Sequence, residues 1–213
     1  MVMRLQLALQ AAVLAIVAPT TAQAQGASAP AKSALQAKIE YCKNCHGLAG
    51  QGYHGYLPIP RLAGQQPEYF ENQLRAFLER RRENRFMYGV AHTLNPSTRT
   101  ALAAHFRSLN PKPLGGARRE QVGAGRRIYE EGIPETNVPA CLACHGPDAR
   151  GQGTIPRLAG QLPDYLFNKL VNWTKERGLD PANPDTSSVM AATSHALTRS
   201  QVTAVAAYLS VQQ

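Results

Sequence analysis

Apolar side chains recur three and four residues apart in several segments of the chain, a spacing that gathers them on one face of a helix. In one such segment Phe70, Leu74 and Phe77 follow this spacing, and Pro67 suits the first turn of a helix. The turn-rich stretch before it shows no sustained period-two alternation, which half-buried strands would need. The pattern predicts an all-α fold with helices over 33–45, 67–82, 98–108, 123–131, 163–177 and 199–211.

The chain also repeats itself with a period of about 100 residues, too few copies for a solenoid. The heptapeptide Ile-Pro-Arg-Leu-Ala-Gly-Gln occupies residues 59–65 and again 155–161. Further along, Met87 and Met190 are each followed by histidine after five residues and by leucine after seven. The repeat predicts two similar domains.

A proline- and glycine-rich break separates the two copies and is predicted to be a linker. The predicted organisation is a first domain over 25–109, a linker over 110–117 and a second domain over 118–213. Domains of this size have small cores and need additional support, which a covalently held cofactor would provide.

The N-terminus has the features of a secretory signal. Arg4 gives a positive start, residues 5–18 are apolar, and Ala22-Gln23-Ala24 matches a cleavage site. The apolar stretch is shorter than the roughly 20 residues that cross a membrane. We expect residues 1–24 to be removed after Ala24 and the protein to be periplasmic, with an uncleaved anchor as the alternative.

Basic residues are concentrated in the first copy. Residues 25–114 hold 12 Lys/Arg against 5 Asp/Glu, whereas residues 115–213 hold 10 against 9. Such a field bears on association rather than on the fold, and an exported chain without base-stacking motifs is not expected to bind nucleic acid. One arginine cluster is either a docking patch for an acidic partner or a solvated helix face: Arg80, Arg81, Arg82 and Arg85.

All four cysteines lie in two C-x-x-C-H motifs, Cys42 to His46 and Cys141 to His145. In this motif both thiols add to the vinyl groups of a haem and the histidine ligates its iron. A four-cysteine zinc site normally has about 15–20 residues between its pairs, far fewer than separate these two. A redox C-x-x-C pair would sit among β-branched strands, which this chain lacks. The motifs therefore predict two covalently bound haem c groups, held by Cys42, Cys45, Cys141 and Cys144.

Beyond the predicted signal the chain keeps only two methionines, Met87 and Met190, at matching positions of the two copies. Histidine–methionine ligation raises the haem potential and suits electron transfer. The predicted axial pairs are therefore His46 with Met87 and His145 with Met190. Core packing is the alternative role for the methionines; His92 and His195 are the competing ligands, otherwise interpreted as helix-start or haem-edge residues.

An axial histidine needs an acceptor on its second ring nitrogen. The carbonyl groups of Pro60 and Pro156, each in a repeated turn, are the predicted acceptors. Other repeated polar residues could contact haem propionates or serve only turn and core packing: Arg61, Arg157, Gln65, Gln161, Tyr69 and Tyr165.

The duplicated C-x-x-C-H-G, the P-x-L-A-G-Q-x-P-x-Y segment and the methionine with leucine seven residues later resemble cytochrome c4, a dihaem class I cytochrome c. The resemblance extends from about residue 33 to 210. It implies two cytochrome c domains related by a pseudo-two-fold axis, with haem propionates near their interface. It also implies the same covalent and axial haem residues, although the two copies differ in loop length before Ile59 and before Met190.

The resemblance further implies a periplasmic carrier that passes single electrons from a quinol-oxidising complex toward a terminal oxidase. Its partners would be redox proteins of the respiratory chain with acidic docking surfaces; peripheral membrane association is left open, and no small-molecule substrate or catalytic activity is expected. The alternative is the dihaem electron-accepting subunit of a periplasmic dehydrogenase of the flavocytochrome type. A dihaem peroxidase is disfavoured, because it needs an open or labile iron position.

Overall fold

The computed structural model describes residues 31–177 and 187–213. The predicted signal segment and its cleavage site therefore lie outside the described residues. Within the described part of the chain, no helix combines the length and the apolar character needed to cross a membrane.

The first copy, where described, forms four helices joined by turns: α1 (Lys32–His46), α2 (Pro67–Leu78), α3 (Arg85–His92) and α4 (Pro96–Arg107). Their apolar faces meet in one core, in which Leu102 and Phe106 from α4 are fully buried. The rings of Phe70 and Phe106 stack with their centroids 5.7 Å apart. The helical spacing of the sequence thus becomes a helix-on-helix core.

The described part of the second copy forms α5 (Val122–Glu131), α6 (Leu142–His145), α7 (Pro163–Val171), α8 (Trp173–Glu176), α9 (Ser187–Ala196) and α10 (Arg199–Ser210). Its core is separate and centres on Tyr129 and Leu166, packed against α10. Gly125 allows α5 to approach α10 closely, because a Cβ atom there would lie 1.9 Å from the Ala204 carbonyl oxygen. Each copy therefore has its own core.

The all-α prediction is confirmed, with several differences in detail. The helix predicted over 67–82 is shorter and ends at Leu78. Arg80, two residues later, has a left-handed backbone (φ 56°). The segment predicted over 163–177 is interrupted at Asn172. Helices α3 and α9, which carry the two methionines, were not predicted.

Candidate haem sites

The first C-x-x-C-H motif occupies the last turn of α1. Residues three and four apart share a helix face, so Cys42 and His46 lie near one another while Cys45 is exposed to solvent. Gly47 ends the helix in a left-handed conformation (φ 86°), in which a Cβ atom would come within 2.8 Å of the Gly52 carbonyl oxygen. The chain then turns back so that the Pro60 carbonyl oxygen lies 2.8 Å from His46 Nδ1.

The second motif repeats this geometry on a shorter element. Cys144 is exposed, Cys141 is half-buried, and His145 is buried at the end of α6. Gly146 adopts the same left-handed conformation (φ 79°). The Pro156 carbonyl oxygen lies 3.0 Å from His145 Nδ1. Both copies therefore bring the predicted histidine and proline together.

Burial favours the neutral form of both histidines, which is the form that can ligate iron. Burial lowers the pKa of His46 and of His145, and the hydrogen bonds to the proline carbonyls only partly oppose this. Because a carbonyl oxygen can only accept, the ring proton of the neutral form resides on Nδ1 in this contact. The lone pair of Nε2 is then free for a metal ion. The arrangement fits a haem iron.

The cysteines do not fit the two alternative sites. Burial raises the pKa of Cys42 and of Cys141 to about 11, whereas a redox-active C-x-x-C pair depends on a lowered thiol pKa. Among the described residues no three His, Cys, Asp or Glu side chains are grouped closely enough to hold a metal ion. The two cysteine pairs therefore do not converge on a shared zinc site.

The two methionines occupy corresponding helices. Met87 is the third residue of α3, where its backbone N–H donates to the Asn84 side chain that caps the helix, and it packs partly buried against the first core. Met190 is half-buried in α9. The competing histidines, His92 and His195, are exposed and lie at the C-terminal ends of these helices. Their interpretation as helix-start residues was wrong; a basic residue is favoured at a helix C-terminus by the helix dipole.

Two glutamines join the copies in a nearly symmetrical way. Gln161 accepts a hydrogen bond from the Arg61 backbone N–H (2.8 Å) and donates to the Arg61 carbonyl oxygen (3.1 Å). Gln65 makes the same two bonds to Arg157, with the same two distances. Both glutamines are buried. Because each copy reaches into the other in the same way, these contacts are consistent with a pseudo-two-fold axis between the repeated turns.

The side chains of the same two arginines meet near this axis. Arg61 and Arg157 are 3% and 5% exposed, and each donates through its Nη2 to the single Oδ1 of Asn110, at 3.2 and 3.3 Å. Their other side-chain hydrogen bonds go to carbonyl oxygens, namely those of Ala63, Pro111 and Ala159. Burial, together with neighbouring cations that include Arg61, lowers the pKa of Arg157 to about 10. A buried cationic pair whose partners among the described residues are all neutral is suited to receive an anion, as propionate contacts would require.

A second set of cross-domain contacts changes the interpretation of the arginine cluster. Arg82 is buried and donates to the Tyr165 hydroxyl of the second copy (2.7 Å), while Arg177 donates to Tyr69 of the first (3.4 Å). Arg82 is therefore part of the interface and not of a solvent-facing docking patch. Tyr69 and Tyr165, for which turn and core packing was the favoured role and propionate contact the other, thus bond to arginines of the opposite copy.

Sequence reasoning did not find the cross-domain role of the glutamines. The available signal was that both copies carry glutamine at the end of the repeated heptapeptide, just before an apolar helix. A polar residue that is buried in both copies must be hydrogen-bonded, but the sequence does not show that its partner lies in the other copy.

Comparisons with known proteins agree with this picture. A model of the cytochrome c family matches residues 122–212. Cytochrome c4 of Thiocapsa roseopersicina is 39% identical over 173 residues, which cover 79% of this chain and 85% of that protein. The thiosulfate dehydrogenase electron acceptor of Thiomonas intermedia (strain K12) is 35% identical over 199 residues, covering 90% and 84%. The solved cytochrome c4 structure of Acidithiobacillus ferrooxidans superposes with a TM-score of 0.69 at 33% identity, covering 81% of this chain and 99% of that one.

The chain belongs to the cytochrome c4 family. Its fold is that of two tandem cytochrome c-like domains, and it carries two covalently bound haem c groups. It is an electron-transfer protein and not an enzyme.

Proposed function

We propose that this member of the cytochrome c4 family binds one haem through Cys42 and Cys45 and the other through Cys141 and Cys144. Haem groups held by these residues would supply one-electron redox chemistry. The proposed domains extend over 25–109 and 118–213, joined by the linker 110–117. The proposed axial pairs are His46 with Met87, and His145 with Met190.

The observation that carries this proposal is the duplicated contact between a buried histidine and a proline carbonyl. Pro60 and Pro156 fix the ring orientation and hold the proton on Nδ1, so that Nε2 would be available to ligate a haem iron. The half-buried methionines lie on helices at matching positions of the two copies. A thioether ligand suits a carrier of electrons because it raises the haem potential.

The test is to replace each methionine separately by alanine in the haem-loaded protein. We expect Met87→Ala and Met190→Ala each to remove the methionine-to-iron charge-transfer absorption of one haem in the oxidised protein. The band of the other haem serves as the internal control. If both variants keep the complete band, the methionine assignment is wrong.

We further propose that the carrier works in the periplasm and takes electrons from a quinol-oxidising complex toward a terminal oxidase. The excess of basic residues in the first copy supports an acidic partner. Of the arginine cluster, Arg80 and Arg85 face solvent, whereas Arg81 is paired with Glu79. Reduction of the purified protein by membranes that contain the quinol-oxidising complex, and not by membranes lacking it, is the expected result.

A second candidate is that the chain accepts electrons from a periplasmic dehydrogenase. The relative from Thiomonas intermedia, named as the electron acceptor of thiosulfate dehydrogenase, supports this candidate because it matches 90% of the chain. Thiosulfate-dependent reduction in the presence of a thiosulfate dehydrogenase, faster than reduction by quinol-oxidising membranes, would favour it. Both candidates use the same two haem sites.

A further inference from the structure

The peptide group that holds the first haem histidine is itself held by the other domain. The carbonyl oxygen of Pro60 lies 2.8 Å from His46 Nδ1. The N–H of the same peptide group belongs to Arg61, and it donates to Gln161 Oε1 of the second copy at 2.8 Å. One peptide unit thus links the histidine of one domain to the glutamine of the other.

The second copy contains the reciprocal connection. The Pro156 carbonyl lies 3.0 Å from His145 Nδ1, and the N–H of that peptide group, on Arg157, donates to Gln65 Oε1 at 2.8 Å. Each histidine therefore depends on a glutamine that lies in the opposite domain.

Hydrogen bonds in such a chain polarise one another. A peptide group that donates through its N–H presents a more negative carbonyl oxygen, and in a buried site this cooperative effect is stronger than in water. A stronger acceptor on Nδ1–H makes the imidazole a more basic ligand. Hydrogen bonding around the ligands is one of the means by which a protein sets a haem potential, and a more basic ligand favours the oxidised iron.

We propose that Gln161 and Gln65 are positioning residues that act across the interface: Gln161 lowers the potential of the first-copy haem, and Gln65 lowers that of the second-copy haem. The inference rests on the proposed function, because it takes His46 and His145 as the axial ligands. Domain docking would then form part of how each iron is tuned.

The test measures both haem potentials in the haem-loaded Gln161→Leu and Gln65→Leu variants by spectroelectrochemical titration. Leucine keeps much of the side-chain volume but cannot accept from the arginine N–H. The spectra of Met87→Ala and Met190→Ala identify which haem is which. In Gln161→Leu we expect the redox equilibrium constant of the first-copy haem to change by about threefold toward the reduced form, ~28 mV at 59 mV per decade. The potential of the second-copy haem should shift much less. In Gln65→Leu we expect the larger shift at the second-copy haem instead.

The chain offers a matched control in Gln66→Leu. Gln66 also donates two hydrogen bonds across the interface, to the carbonyl oxygens of Arg150 (2.8 Å) and Gly151 (2.7 Å), but neither carbonyl belongs to a peptide group that is bonded to a histidine ring. The second copy already has leucine at the corresponding position, Leu162. The Gly151 N–H does donate to the backbone carbonyl of His145 (2.9 Å), but no contact of Gln66 leads to an imidazole ring. We expect this variant to shift neither haem selectively.

Amide hydrogen exchange gives a second readout that does not depend on the haem potential. Exchange of the Arg61 N–H should become faster in Gln161→Leu and stay unchanged in Gln66→Leu. The inference would be overturned if the Arg61 exchange rate did not change. It would also be overturned if the two haem potentials shifted equally or not at all, or if only the potential of the haem in the mutated copy shifted. If the methionine bands have been assigned as proposed, such a result leaves the proposed function intact; if neither methionine variant loses its band, the ligand assignment itself fails.

Discussion

In the first copy, α1 runs without a break into Cys42 and His46, whereas in the second copy residues 132–141 separate α5 from the short helix that carries His145. In the second copy the motif is instead held by the packing of a side chain from α5. The Tyr129 ring is fully buried, and its hydroxyl donates to the carbonyl oxygen of Gly146 at 2.5 Å. One haem motif is thus positioned by an unbroken helix and the other by tertiary contacts.

The loop between the C-x-x-C-H motif and the proline that contacts its histidine also differs between the copies, and here the first copy has the longer segment. The first copy has three more residues between Gly52 and Ile59 than the second has between Gly151 and Ile155. The longer loop exposes apolar side chains that the second copy lacks, those of Tyr53, Tyr56 and Leu57. The two copies therefore agree where they face the histidines and each other, and they differ on their outer surfaces.

The largest effect should come from filling the close contact of α5 with α10, which depends on Gly125; α1 of the first copy has no glycine. In Gly125→Ala the new methyl group would overlap the Ala204 carbonyl. Since overpacking of a tight core costs up to about 3 kcal/mol, we expect a loss of about that size in the free energy of unfolding of the second domain. Urea titration, followed through loss of the second-copy haem band, measures it.

Gly123→Ala is the control for this prediction. Gly123 lies on the same helix and is exposed, and a methyl group added there would have no atom within 4 Å. Replacing it should stabilise α5 by up to about 1 kcal/mol through helix propensity. Equal losses in the two variants would show that the contact with α10 is not the cause.

A smaller effect should distinguish the two arginine–tyrosine contacts of the interface. Tyr165→Phe removes the 2.7 Å partner of the buried Arg82, and a hydrogen bond to a charged group is worth about 1.5–3 kcal/mol. Tyr69→Phe removes only a 3.4 Å contact to Arg177, longer than usual for such bonds. We expect Tyr165→Phe to lower the thermal unfolding temperature clearly more than Tyr69→Phe. The reverse order would mean that the contacts are not ranked by their geometry.

The smallest effect should appear in the rate at which each domain transfers electrons to a charged partner. Arg80→Glu with Arg85→Glu reverses two exposed charges of the basic first copy. At low salt we expect electron transfer to ferricyanide, an anion, to slow about two- to threefold, and the difference should vanish when salt screens the charges. Arg126→Glu with Arg127→Glu in the nearly neutral second copy is the matched control, with a weaker response. A defect that persists at high salt would point to structural damage instead.

Local spacing was sufficient to predict most of the fold and the centre of each site. The helices rich in large apolar residues, and the grouping of cysteine, histidine and proline, follow from contacts between positions that are near in sequence. Helix α3 has only eight residues, too few to establish a period from sequence. Helix α9 contains mainly small side chains and so shows only a weak apolar period. The end of α2 was missed because it depends on the left-handed backbone of Arg80.

Contacts between the copies could not be predicted from one sequence. Gln161 and Arg61 are 100 residues apart, and nothing in their local sequence shows that they meet. The same holds for Arg82, which follows other arginines on what looked like a polar helix face, yet lies buried against the second copy. The interface depends on how two finished domains dock.

Asn110, in the proposed linker, contacts both domains. Its Oδ1 accepts hydrogen bonds from equivalent arginines of both domains. If the two domains were separate molecules, this contact would form only when they met in solution. The proposed linker over 110–117 would instead hold the domains at a high effective concentration, on the order of millimolar for short flexible linkers. The interface can therefore be small and polar and still remain closed, and its closure should not change when the protein is diluted.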